Sequence, residues 1–249
     1  MSERSLSPPT IGTIRHRWRF ALVLAAALLL AVAQPFTAGL VGEARSFDFF
    51  FSLLIGAVAL LVFEERQLRR TALAFGVAAL VGIWVGYACG GAGRLLLVAA
   101  YLLAAGFFAI ALYGILQAIF VKHASGNALF GAACGYLLLG IIWSLLYSAV
   151  ETAVPGSFNV PAAAEADVTT ARLDHGVFSY YSFITLATVG YGDVTPRTSL
   201  ARTLAWLEAI VGQFYLAVLV AGLVGFKVTQ AMHGRSEQGG TTRPTESGS

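Results

Sequence analysis

Thr188, Val189, Gly190, Tyr191, Gly192 and Asp193 stand in a row, and this order of residue types is suited to holding a bare monovalent cation. An ion stripped of water needs a cage of oxygens. Consecutive backbone carbonyls can form one if the chain is extended and the carbonyls are aimed the same way. Glycine at 190 and 192 permits that, because without a Cβ it reaches positive-φ conformations that L-residues resist. The Thr188 hydroxyl adds an innermost oxygen, and Thr188, Val189, Gly190 and Tyr191 together make up the expected cation-binding strand. The Tyr191 side chain is free to turn outward and brace that strand against neighbouring aromatic residues.

Three apolar segments must position the strand. Leu129 to Val150 comes well before it, Val177 to Ala187 immediately precedes it, and Leu200 to Phe226 follows. The middle segment is short of the roughly 20 helical residues that a bilayer crossing requires. It must therefore enter and return, which lipid permits only where protein surrounds the backbone.

From about Leu129 to Lys227 this arrangement resembles the pore module of the tetrameric potassium channel superfamily, with outer helix, pore helix, filter and inner helix in that order. The string from Thr188 to Gly192 is the one by which those channels build their filter, four copies to a pore. The resemblance implies an all-α integral membrane protein of the prokaryotic six-span type, with six transmembrane helices, a re-entrant pore helix and a selectivity filter. It implies potassium as the transported ion, no cofactor, and a homotetramer, since one chain carries one filter strand. Asp193 is similar to the family's outer-mouth acid. In several relatives that acid meets a carboxyl on the pore helix, at the position where this chain has Ile184, so a filter mechanism resting on that pair is in doubt here. Tyr180, Tyr181 and Phe183 are expected to pack behind Tyr191 as a cuff.

Two residues of the last segment stand out. Glu208 lies in an otherwise apolar stretch from Leu204 to Val211, and an acid at membrane depth is costly unless paired or hydrated. One reading has it accept hydrogen bonds from hydroxyls behind the filter, Ser182 or Thr185, so that Glu208→Gln alters filter stability. The other is an outer-leaflet acid reaching toward water. Gly212 occupies the place where related inner helices carry a hinge glycine, and a close helix contact is the alternative. Phe214, Leu219, Leu223 and Phe226 below it are candidates for a hydrophobic constriction.

The composition agrees with a chain solvated by lipid. Of the 249 residues 57% are hydrophobic and 12% charged, against roughly 25% charged in soluble domains. The net charge of +3 does not suggest a nucleic-acid partner, because the basic residues flank apolar runs. Cys89 and Cys134 lie within apolar spans and read as small buried hydrophobes. His16, His123, His175 and His233 are scattered, and no Ser/His/Asp or metal-spaced cluster argues for an enzyme.

The chain divides into an N-terminal segment (1–17), a four-span membrane domain (18–126), the pore domain (127–231) and a polar tail (232–249) expected to lack a fold of its own. The first apolar run, Phe20 to Ala33, reads either as a retained helix or as a signal sequence ending at Ala31-Val32-Ala33. The second and third spans are placed at Phe47 to Phe63 and Ala72 to Ala88. The fourth begins at Leu95 and runs to Val121, about 40 Å, so that its end either bends along the interface from Gly114 or the helix tilts. Arg15, Arg17, Arg19, Arg66, Arg69, Arg70, Lys122 and Lys227 fall on one side if the spans alternate. Short basic loops stay inside, which places both termini in the cytoplasm of a cell expressing this as a multi-pass plasma-membrane protein. A cleaved signal would instead leave the N-terminus outside.

A voltage sensor needs Arg or Lys about every third residue of its fourth helix, since each charge crossing the field supplies only about 2.3 kcal/mol per 100 mV. Leu95 to Val121 has none, so weak or absent voltage dependence is expected. The loop from Glu151 to Gly176 carries Glu151, Glu165, Asp167 and Asp174, which either concentrate cations at the mouth or are merely solvated. Besides a potassium channel, a weakly selective cation channel and a non-conducting accessory subunit remain as readings.

Overall fold

The computed structural model describes residues 21–28, 51–59, 66–120, 128–160 and 175–239. Helical stretches at 21–28 and 51–59 are followed by α1 (Arg66–Ala88), a 3-10 turn (Gly90–Gly93) and α2 (Arg94–Phe120). After these come α3 (Ala128–Ala153), β1 (Phe158–Asn159), α4 (His175–Leu186), β2 (Thr195–Pro196) and α5 (Ser199–Gly239). Among the described residues, Gln67–Ala88, Arg94–Ile119 and Phe130–Ala153 are long and apolar enough to cross a membrane.

Glycines set the hairpin between α1 and α2. A Cβ on Gly93 would fall 2.9 Å from the Gly86 Cα, so these two backbones meet where any side chain would separate them. Leu97 fills the space over Gly86, and small residues continue the seam along α2, where Ala104, Ala111 and Ala118 recur at heptad intervals and are all buried. Lipid tails are as apolar as any side chain, so helices in a membrane gain by close packing, which small residues allow. Phe107 and Phe108 fill the wider gaps, with Phe108 5.5 Å from Phe51 of the second helical stretch. Tyr87 and Tyr101 join α1 to α2 by a hydroxyl pair at 3.1 Å. On the outside of α1, Val77, Val81, Trp84 and Val85 are exposed, a surface suited to lipid.

α3 is the shared wall. One side packs on α2 and the other on α4 and α5. Arg94, the first residue of α2, reaches the far end of α3 and donates from Nε to the Thr152 carbonyl at 2.6 Å and from Nη2 to the Ala153 carbonyl at 2.5 Å. The last carbonyls of a helix lack intrahelical partners, and a neighbouring helix supplies the donor here. At the other end of α3 the Tyr215 hydroxyl of α5 donates to the Ala132 carbonyl at 2.7 Å.

Several boundaries differ from the sequence reading. α4 covers His175 to Leu186, two residues earlier at its start than expected. α2 runs unbroken past Gly114 to Phe120. α5 continues through Met232 to Gly239, so the first part of the expected structureless tail is helical, and the helix is about 60 Å long at 1.5 Å per residue. Only 21–28 and 51–59 of the first two expected spans are described. The N-terminal segment and the choice between anchor and signal, which turns on Ala31-Val32-Ala33, lie outside the described residues, as do Glu165, Asp167 and Asp174.

Candidate functional site

The backbone from Thr188 to Gly192 alternates in handedness. Thr188, Gly190 and Gly192 have positive φ values of 57°, 53° and 80°, whereas Val189 and Tyr191 between them do not. In an ordinary extended strand successive carbonyls point to opposite sides, because each residue repeats the same dihedrals. Alternating the sign of φ turns successive peptide planes toward a common side. The amides are accounted for as well. Thr188 N–H donates to the Thr185 carbonyl at 3.0 Å, and Val189 and Gly190 N–H donate to the Ile184 carbonyl at 2.8 and 3.2 Å. These bonds tie the turn to the C-terminal end of α4 and occupy carbonyls that a helix end leaves open. In a trans peptide the carbonyl opposes the N–H, so the carbonyls of Ala187, Thr188 and Val189 are turned away from α4. Positive φ at Thr188 was not expected, since a β-branched residue pays for it with strain.

The rim of the turn is fastened at three points. First, the Tyr180 hydroxyl of α4 donates to Asp193 Oδ2 at 2.7 Å, and Val194 N–H donates to Oδ1 at 3.0 Å. Asp193 therefore has a hydrogen-bond partner on α4 at Tyr180, four residues before Ile184. Second, β1 and β2 pair antiparallel, Phe158 opposite Pro196 and Asn159 opposite Thr195. Arg197 N–H also donates to the Ser157 carbonyl at 2.7 Å. Third, Glu151 lies in the last turn of α3 and is 5% exposed. Its Oε1 accepts from Gly156 N–H at 2.6 Å and its Oε2 from Phe158 N–H at 3.0 Å. Glu151 is therefore not the solvated mouth acid expected from sequence; it shapes the turn that leads into β1.

The bond from the Tyr180 hydroxyl holds the Asp193 carboxyl below its ordinary range. A depressed carboxyl favours the folded rim above its ordinary value, and that contribution is lost as pH falls through the lowered one. Tyr180→Phe is expected to return Asp193 toward the ordinary carboxylate range. Titration of the Asp193 carboxyl by NMR checks this, and an unmoved value would contradict the assignment.

Behind the turn, Glu208 of α5 is 0% exposed. Its Oε1 lies 2.5 Å from Ser182 Oγ of α4, and its Oε2 accepts from the Tyr147 hydroxyl of α3 at 2.5 Å. Of the two hydroxyls expected to reach Glu208, Ser182 does. Thr185 is not among the groups that hydrogen-bond Glu208, and Tyr147 is the partner that sequence reasoning missed. The reading of Glu208 as an acid reaching toward water does not fit its burial. Ser182 Oγ also donates to the Gly140 carbonyl of α3 at 2.8 Å.

The expected cuff behind Tyr191 is not closed within one chain, because Tyr191 is 73% exposed. Tyr181 packs instead against Tyr147 and Phe158, with ring centroids 5.1 and 5.5 Å away. Phe183 lies over Gly140, where a Cβ would come within 2.4 Å of its ring. Both rings are turned onto α3. Gly212 sits against the end of α4: a Cβ there would meet Leu186 Cδ1 at 2.8 Å and the Leu186 carbonyl oxygen at 3.1 Å. α5 is uninterrupted at this point, so the close contact is what the structure displays. Phe214 is exposed on the single chain, and the side chains of Leu223 and Phe226 lie outside what is described.

Residues 132–227 match the family model described as "Ion channel", which is 39% of the chain or less and coincides with α3, α4, the turn and the first part of α5. A protein of Oryza sativa subsp. japonica named "Two pore potassium channel c" is 28% identical over 98 residues, covering 39% of this chain and 18% of that protein. The chain thus matches only a small part of that relative's length. No solved structure matches the chain. The matches support an ion channel of the potassium-channel superfamily, in a mostly helical chain with apolar helices of membrane-crossing length.

Proposed function

We propose that the chain is the subunit of a potassium-selective channel, in which four copies bring their 188–192 turns around one axis in the plasma membrane, with six spans per chain and both termini in the cytoplasm. The observation that carries this reading is the alternation of φ at Thr188, Gly190 and Gly192, together with amides bound to α4. One strand offers carbonyl oxygens to one side only, so a cage for a dehydrated ion needs several strands. The chain has one such string, and cyclic assembly of identical chains supplies the rest. Tyr191 and the exposed apolar face of α5, including Trp206, Ile210 and Phe214, would then be covered by neighbouring copies and lipid. Tyr180 and Asp193 would then fasten the rim of the filter, Ser182 and Glu208 would tie α4 to α5 behind it, Tyr181 and Phe183 would pack α4 onto α3, and Gly212 lets α5 approach α4.

The test is the mass of the lipid-reconstituted assembly together with block of its potassium flux by barium, a divalent ion of similar size. A tetramer with barium-sensitive flux supports the reading. A different stoichiometry, or a tetramer with no flux under any voltage, pH or lipid tried, would favour an accessory subunit.

Gating by voltage is not expected. The only basic residue of α2 is Arg94, and its guanidinium is engaged by the end of α3. Conductance should therefore change little across the physiological range of potentials. A steep conductance–voltage curve from purified protein would contradict this.

A further inference from the structure

Among the described residues two carboxyls are buried, Glu151 and Glu208, and their hydrogen-bond partners differ in kind. Glu151 faces two backbone amides. Each brings its own proton, so the carboxyl has only to accept, and the ionised form satisfies every contact.

Glu208 differs. Three short oxygen–oxygen contacts link Tyr147 to Glu208, Glu208 to Ser182, and Ser182 to the Gly140 carbonyl. Each contact needs one proton. Tyr147 supplies one and Ser182 one, and the Gly140 carbonyl can only accept. If Glu208 were ionised, Ser182 could serve either the carboxylate or Gly140, and the other pair of oxygens would face each other with no proton between them. The carboxylate would also be buried without a counter-charge. The titratable groups facing it are Tyr136 and Tyr147 from α3 and Tyr181 from α4. Among the described residues no lysine, arginine or histidine faces it. A buried charge without a partner is strongly disfavoured.

We infer that Glu208 is a neutral carboxylic acid that accepts from Tyr147 and donates through Oε1 to Ser182, which in turn donates to the Gly140 carbonyl, making a directed chain that binds α3, α4 and α5 behind the turn. Glu208 is then a positioning residue whose proton fixes the direction of the Ser182 hydroxyl. The alternative assignment, with Glu208 donating to Tyr147, leaves the buried Tyr147 proton without an acceptor. The inference concerns protonation and does not depend on conduction; only its consequence for the filter rests on the proposed channel.

Glutamine mimics a neutral acid, with one oxygen to accept from Tyr147 and an N–H to donate to Ser182. Glu208→Gln should therefore preserve the melting temperature, whereas Glu208→Leu should lower it. Sequence alone leads to the reverse expectation for glutamine. The decisive measurement is infrared spectroscopy of the full-length protein in lipid at neutral pH. A carbonyl band of a protonated carboxyl should be present, be lost in Glu208→Gln, persist in Glu151→Gln, and fade in the wild type as pH rises. Absence of the band from the wild type overturns the inference whether or not any variant folds, and so does a band that survives Glu208→Gln. A missing band with intact potassium flux would leave the channel reading standing, and a band without flux would do the opposite.

Discussion

Gly190→Ala is expected to abolish selective potassium flux while leaving the single chain folded. Gly190 has φ of 53°, and a Cβ built there has no atom within 4 Å. The effect is therefore conformational and not steric within one chain. An L-residue in the left-handed region costs about 1 kcal/mol, which one folded chain tolerates. Four strands around an axis raise the cost of the alternating backbone to about 4 kcal/mol, or roughly a thousandfold in its population. The alanine strand escapes by reverting to negative φ, which turns its carbonyl away from the ion. Flux assays on wild type and variant in the same liposomes check this, with a melting curve as the control for folding. Undiminished selective flux would mean that the alternation seen at 188–192 is not what holds the ion.

Glu151→Ala is expected to be the most damaging substitution outside the turn. Glu151 accepts from two amides, and the Phe158 amide is buried. Charge-assisted bonds of this kind contribute more than neutral ones, and removing the acceptor leaves donors without partners, so the loss is about 3 kcal/mol. The turn at 154–157 leads straight into β1, whose partner strand β2 lies just beyond Asp193. Loosening the turn therefore frees β2 and the segment after Asp193, and on the proposed function potassium flux should decay with time where the wild type holds steady. Glu151→Gln keeps one acceptor oxygen and should fall between the two. A Glu151→Ala protein that melts and conducts like the wild type would remove Glu151 from this role.

The contrast between these sites shows which features a sequence displays. The string from Thr188 to Asp193 was legible because backbone chemistry demands those residue types in that order. Glu208 was legible because an acid stands out in an apolar helix, and Ser182 followed as a hydroxyl close to the turn. Tyr147 was not, since an aromatic residue in an apolar helix has the appearance of core, and its hydroxyl meets Glu208 across 61 positions of chain. Glu151 was misjudged for a related reason. It stands where α3 gives way to a loop rich in proline and alanine, and nothing local distinguishes an acid that caps a turn from one that faces solvent. The end of α5 was placed too early because apolar patterning stops near Met232, while helix propensity does not: Gln230, Ala231, Met232, Arg235, Glu237 and Gln238 all favour helix. The cuff failed within one chain because rings at helical spacing can face either wall, and Gly140 offers Phe183 a recess that Tyr191 does not.

The most direct measurement of the central claim is potassium flux against sodium flux through the purified chain in liposomes, each driven by its own gradient. Flux that favours potassium at least tenfold, a preference of about 1.4 kcal/mol, and that disappears in Gly190→Ala is the predicted result. Equal passage of the two ions would contradict a potassium-selective filter at 188–192.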